Sequence, residues 1–330
     1  MSDALPSPPR DLGGGGWLLD TGLAGETAVV GVFARTLPDG SVVLIEAGSG
    51  ATVPAVTRGL EALGIGPTDV TAIVVTHVHL DHAAGAGGLS AWADAPVFVH
   101  PDGATHLADP SRLWNSAARI YGDAMDILWG PMHPVPPARL HALPDGEPLQ
   151  LGGADIRVLH TPGHARHHLS LIDEHGDAYV GDTAGILLPD VPRIRPALPP
   201  PETDLEAAER SCTLLADAAP QRLLLTHFGV VDDPHEHLRA VVARNRAWAD
   251  AVLEGLRAGQ DEGALTRRME ALEHAELDAS GVRDDDARRR WKGSSDARMT
   301  VMGLSRYWRK LRPEALENGP SSGPGGSPAP

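Results

Sequence analysis

A short apolar run, TAIVVT at 71–76, leads directly into His77-Val78-His79-Leu80-Asp81-His82. An uninterrupted apolar run of this length is a strand buried on both faces. Three imidazoles and a carboxylate within the next six residues would repel one another or go unsatisfied in an interior, unless a cation held them. The fold must therefore bring a rigid strand end and a divalent ion together. His77 and His79 are two apart and face the same way while the chain stays extended. Asp81 and His82 follow where it turns. One ion does not readily accept all four groups, and their density points to two neighbouring ions.

Three later strand ends repeat the pattern. His164 follows the strand 156–160 through Thr161-Pro162-Gly163, a turn that lifts it out of the sheet. Asp182 follows the strand 178–180 within Gly181-Asp182-Thr183, and His227 follows the strand 222–226. A lone histidine in such a place is ordinarily a surface or hydrogen-bonded core residue. Four strand ends that each present His or Asp are poorly explained that way.

The rest of the chain reads as mixed strands and helices. Strands are expected at 27–33 and 42–46, joined by Pro38-Asp39-Gly40, and at 97–100 and 169–173. Helices are expected from Pro54 to Gly64 and over 204–219, and from Pro234 to Leu311 with breaks at Gly259 and Ser280. No Gly-rich phosphate loop follows a strand, so nucleotide folds gain no support. Residues 1–16 and 313–330 are rich in Gly and Pro and read as disordered arms. Between them, 17–232 forms a catalytic domain and 233–312 a helical region.

Composition excludes several classes. The net charge of -16 opposes binding to nucleic acid or to anionic membranes. No apolar run is long enough to span a bilayer and no secretory leader is evident, so a cytoplasmic location is expected. The single cysteine, Cys212, excludes an intrachain disulfide and a Cys-rich zinc cluster. It falls on the apolar face of the 204–219 helix and reads as core.

The strings THVHLDH at 76–82, HTPGHARHH at 160–168, GDT at 181–183 and THFG at 226–229, in that order, resemble the metallo-β-lactamase superfamily of hydrolases. LIEAG at 44–48 resembles its early strand, with Glu46 in place of the usual Asp. The resemblance implies an α/β (α+β) fold, a four-layer αββα sandwich with the metals at one edge, here with a helical C-terminal extension. It implies one metal site of His77, His79 and His164, another of Asp81, His82 and His227, and Asp182 as the bridge. It implies two divalent ions, zinc first and iron or manganese next. Such ions yield a hydroxide nucleophile near neutral pH, with Asp81 orienting it and carrying a proton to the leaving group. His168 is implied as a residue supporting the ligands.

Within that superfamily, the lack of a Cys ligand disfavours the β-lactamases that use one. Gly185 stands where quorum-signal lactonases carry Tyr, and the basic clusters near the C-terminus are not those of glyoxalase II enzymes. The expected activity is hydrolysis of a small-molecule ester, thioester or lactone. A phosphodiesterase, a mononuclear-iron sulfur dioxygenase and a non-catalytic ligand-binding member are the alternatives. A homo-oligomer is compatible with all of these. The segment 103–140 is expected to be a helical insertion acting as a lid. Leu113, Ala117, Ile120, Tyr121, Met125, Leu128 and Trp129 recur in it near helical spacing. Tyr121 is its best donor to a developing oxyanion.

Overall fold

The computed structural model describes residues 5–317. The first sheet holds seven strands in sequence order: β1 (Arg10–Gly13), β2 (Gly16–Asp20), β3 (Gly31–Thr36), β4 (Val42–Ile45), β5 (Val70–Val74), β6 (Val97–Val99) and β7 (Leu140–Ala142). It is antiparallel from β1 to β4 and parallel from β4 to β7. The second sheet runs β13 (Gly229–Val231), β12 (Arg222–Leu225), β11 (Asp177–Tyr179), β10 (Leu169–Ile172), β9 (Ala154–His160) and β8 (Leu149–Leu151).

Helices cover both outer faces. On the first sheet lie α1 (Val53–Ala62), α2 (Leu80–Ala83), α3 (Ala86–Ala93), α4 (Pro101–Ala108), α5 (Ser111–Tyr121) and α6 (Met125–Leu128). On the second lie α7 (Leu205–Asp217) and α8 (Pro234–Arg257), followed by α9 (Glu262–Ala279), α10 (Asp285–Ser294), α11 (Ala297–Lys310) and α12 (Pro313–Glu317).

The four layers follow from alternation along strands that are apolar throughout. In β4, Val42 and Leu44 join Val56 and Leu60 of α1 and Leu89 of α3, while Val43 and Ile45 face Val158, Leu171 and Leu224 of the second sheet. Both faces are buried, which is why β4 and β5 read as continuous apolar runs. The outer face of the second sheet packs Leu223 and Leu225 against Cys212 and Leu215 of α7 and Leu238 of α8. Cys212 is core as expected, and burial pushes its thiol up to about 12.

Part of the expected N-terminal arm is ordered: β1 pairs with β2 across a glycine turn, and Leu12 is buried between the sheets. Pro313–Glu317 is helical, whereas 1–4 and 318–330 lie outside the described residues. The strands β2, β7, β8 and β13 were not anticipated; β7 and β8 are short and partly exposed, so neither leaves the continuous apolar run that marks β5 and β6. The C-terminal helices break at 258–261 and 280–284 as read, and again at 295–296.

One buried ion pair ties those helices to the sandwich. The guanidinium of Arg195, in the irregular segment between β11 and α7, donates to Glu273 of α9 at 2.7 Å and to the Trp291 carbonyl of α10. It also lies 5.2 Å and 6.0 Å from the ring centroids of Trp291 and Trp248. A buried charge is tolerated only with partners of this kind. No described helix is long and apolar enough to cross a membrane.

Candidate metal centre

Every sequence-selected ligand reaches one site at the edge of the two sheets. Beyond β5 the chain stays extended through His77 to His79, then closes into the single turn of α2, which swings Asp81 and His82 to the other side. His77 Nε2 lies 3.0 Å from His79 Nδ1, and His164 Nε2 lies 2.7 Å from the same His79 atom. These three form one cluster, and Asp81, His82 and His227 form a second. His227 Nε2 is 3.2 Å from His82 Nε2 and 3.4 Å from Asp81 Oδ2. Asp182 stands between them. Its Oδ2 lies 3.2 Å from His164 Nε2, and its Oδ1 lies 3.2 Å and 3.3 Å from the Nε2 atoms of His82 and His227.

Outer hydrogen bonds decide which imidazole nitrogen faces inward. The Thr76 hydroxyl donates to Glu46 at 2.6 Å, so it accepts from His77 Nδ1–H at 3.0 Å. His82 Nδ1–H donates to Glu46 at 2.9 Å, His164 Nδ1–H to the Ala197 carbonyl at 2.9 Å, and His227 Nδ1–H to the Val29 carbonyl at 2.8 Å. Four Nε2 lone pairs therefore point inward, three of them onto the two oxygens of the Asp182 carboxylate, whose buried Oδ1 has no hydrogen-bond partner. Nitrogen lone pairs about 3 Å apart repel, and a cation between them turns the contact into ligation. Five imidazoles and two carboxylates suit zinc, iron or manganese. The residues fit the ions that the sequence implies.

Glu46, His77 and His82 also lie close enough to share an ion. The hydrogen bonds argue against that use, because Glu46 is already filled with N–H and O–H donors. It orients His82 and Thr76 instead.

The electrostatics agree. Burial, then the neighbouring imidazoles, hold His77 well below the usual imidazole range, so it is neutral as a ligand must be. Burial also works against a proton on His227, but the Asp182 and Asp81 carboxylates outweigh it and raise that ring to about 10. Two buried carboxylates call for positive charge, which protons or metal ions can supply.

A family model of the Metallo-beta-lactamase superfamily matches residues 24–227. The chain belongs to this superfamily. It is 27% identical over 190 residues to the metallo-beta-lactamase fold-containing protein ST1585 of Sulfurisphaera tokodaii, a match covering 56% of this chain and 71% of that protein. It is 32% identical over 139 residues to the acyl-coenzyme A thioesterase MBLAC2 of Gallus gallus, covering 36% of this chain but only 43% of the relative. The crystal structure of the metallo-beta-lactamase family protein TTHA1429 from Thermus thermophilus superposes with a TM-score of 0.62 at 23% identity, over 91% of this chain and 95% of that one. That likeness concerns the fold.

In this superfamily member, His168 is fully buried behind the ligands. Its Nε2 accepts the backbone N–H of Asp182 at 3.1 Å, and its Nδ1 meets the hydroxyls of Thr161 and Thr183. Gly163 makes the turn before His164 feasible, since a Cβ there would overlap the backbone of Ala208 in α7. Tyr121 is not among the ligand clusters. It lines a cavity of about 390 Å³ that opens onto His79, Asp81, His164, Asp182 and His227. From the expected lid, Leu113, Ala117, Ile120, Leu128 and Trp129 line the same cavity, while Met125 packs on Val29, Val30 and Leu80.

Sequence reasoning gave Glu46 no role, although a carboxylate ending a buried strand was a usable signal. It also missed the Val29 and Ala197 carbonyls, which carry no side-chain signal. Glu46→Gln preserves shape but sets an amide N–H against one of its donors. Metal titration of the variant should show roughly 10- to 100-fold weaker binding, and denaturant unfolding a loss of about 1–3 kcal/mol. Unchanged metal affinity would remove Glu46 from the support of the site.

Proposed function

We propose that this chain is a hydrolase that holds two divalent ions, zinc being the best fit, and cleaves an ester, thioester or lactone of a small molecule. The observation that carries the reading is the pair of donor clusters facing the two oxygens of Asp182. Bound there, two such ions acidify water toward neutrality and polarise a carbonyl oxygen. The thioester reading gains support from the relative that is an acyl-coenzyme A thioesterase.

The chain's own groups divide the remaining work. His77, His79 and His164 bind on one side, and His82 and His227 with Asp81 on the other. Asp182, fixed at its backbone by His168, spans both. Asp81 is the more exposed of the two carboxylates, with 22% of its side chain accessible against 8% for Asp182. It lines the cavity and is placed to orient the attacking water and pass its proton to the leaving group. Tyr121 packs edge-on against Trp129 at 5.1 Å between centroids. Burial, helped by Asp81 and Asp296, pushes its hydroxyl up to about 12, so it remains a donor across the working pH range. Its wall of α5 and α6 covers the site as a lid.

Elemental analysis of the purified protein should find two divalent ions per chain, and Asp182→Ala should lower that number or its affinity. A single tightly held iron would instead place the chain with the sulfur dioxygenases. A panel of thioesters, lactones, aryl esters and phosphodiesters should show turnover that chelation abolishes, with the first three classes ahead of the last. Asp81→Asn with its metals retained should lower hydrolysis by roughly 10²-fold or more; a near-normal rate would reject the proton-carrying role. Tyr121→Phe should lower kcat by roughly tenfold to a thousandfold with KM little changed. An increase in KM alone would make Tyr121 a binding contact.

A further inference from the structure

The cavity over the metal centre has two unlike walls. One is apolar and comes from α5 and α6, with Leu113, Ala117, Ile120 and Leu128. The other is the C-terminal end of α10 with the turn into α11, residues 292–296, brought there by the packing of the C-terminal helices. The last turn of α10 contributes Lys292. It is one of two lysines in the chain and, among the described residues, the one Lys or Arg lining the cavity.

The arginines beside Lys292 are matched, whereas Asp296 on the same wall has no ion-pair partner among the described residues. Arg288, Arg289 and Arg290 of the same helix pair with Asp278, Glu26 with Asp286, and Asp190. Glu26, which also lines the cavity, is held by Arg289 at 2.7 Å. Asp296 caps α11, accepting the backbone N–H of Arg298 at 2.8 Å. Lys292 is exposed and has no carboxylate within ion-pair distance among the described residues. The space beside it is open, since a Cβ on Gly293 would meet nothing within 4 Å. A cation in the last turn of α10 is favourable to the helix dipole. That effect does not depend on the side chain bordering a cavity.

A cavity with an apolar wall, a carbonyl-activating centre and one unmatched ammonium selects an amphipathic molecule with a negative charge. We propose that the substrate is an ester or thioester bearing a carboxylate or phosphate, which Lys292 holds while the acyl part lies along α5 and α6. This rests on the hydrolase reading above, and the test keeps the two apart.

Three non-hydrolysable octyl thioethers serve as probes: of N-acetylcysteamine, which is neutral, of N-acetylcysteine, which carries a carboxylate, and of phosphopantetheine, which carries a phosphate. Calorimetric titration of the metal-loaded protein should show one or both anionic probes binding at least tenfold tighter than the neutral one, and the tighter of the two identifies the anion. Lys292→Met should erase that preference and leave neutral binding unchanged, while Lys292→Arg should keep most of it. With the matching octanoyl thioesters, Lys292→Met should raise KM for the anionic substrate about tenfold and leave kcat alone. Equal affinity for all three probes, no binding by any of them, or an equal loss for neutral and anionic probes in Lys292→Met would overturn the proposal. Lys292-dependent binding without turnover of any thioester or ester would retain the anion site and overturn the hydrolase reading.

Discussion

The Glu46 carboxylate accepts four hydrogen bonds: from the backbone N–H and hydroxyl of Thr76, from His82 Nδ1, and from the hydroxyl of Thr226. Those donors sit past the end of β5, in α2 and past the end of β12. One fully buried group therefore joins the two sheets at the edge where the metal ligands emerge. A buried carboxylate without partners would carry a large desolvation cost there. Satisfied four times, it turns the Nε2 atoms of His77 and His82 into the two donor clusters, the former through Thr76. Its backbone adopts φ 70°, a left-handed conformation that side chains disfavour, and the network is what keeps it there.

A second set of contacts reaches the site from the opposite direction. His164 is oriented by the carbonyl of Ala197, which lies two residues beyond Arg195. Arg195 is clamped by Glu273, Trp248 and Trp291, and α11 approaches so closely at Gly303 that a Cβ would overlap the Leu198 carbonyl. The C-terminal helices thus do more than cover the second sheet. They press on the segment that aims one metal ligand, and their α10–α11 turn supplies a wall of the cavity.

The cavity is assembled from parts with different physical origins. Its floor is rigid, being built at the ends of strands packed on both faces. Its walls come from helices attached to the outside of the sandwich, α5 and α6 before the second sheet and α10 and α11 after it. The candidate metal centre therefore sits on the rigid scaffold, while most of the cavity wall sits on the added helices.

The ligands and the sandwich were legible in the amino-acid sequence. Strands buried on both faces leave continuous apolar runs, and imidazoles and carboxylates crowded directly after them are stable in an interior only around a cation. The short strands β7 and β8 were not legible, since they are partly exposed and leave no apolar run, and β1 was hidden in a Gly- and Pro-rich stretch that pairing with β2 orders. The helices of the 103–140 segment were foreseen from their spacing, but the cavity that they share with α10 and α11 was not. Glu46 was visible only as an unusual residue in a familiar place. That it gathers Thr76, His82 and Thr226 depends on a contact spanning 180 positions. Likewise nothing near Lys292 in sequence ties it to Asp81, and only the docking of α10 and α11 through Arg195 brings both to one cavity. Local patterning specifies which residues can bind metal; long-range packing decides which carbonyls aim them and which side chains line the cavity beside them.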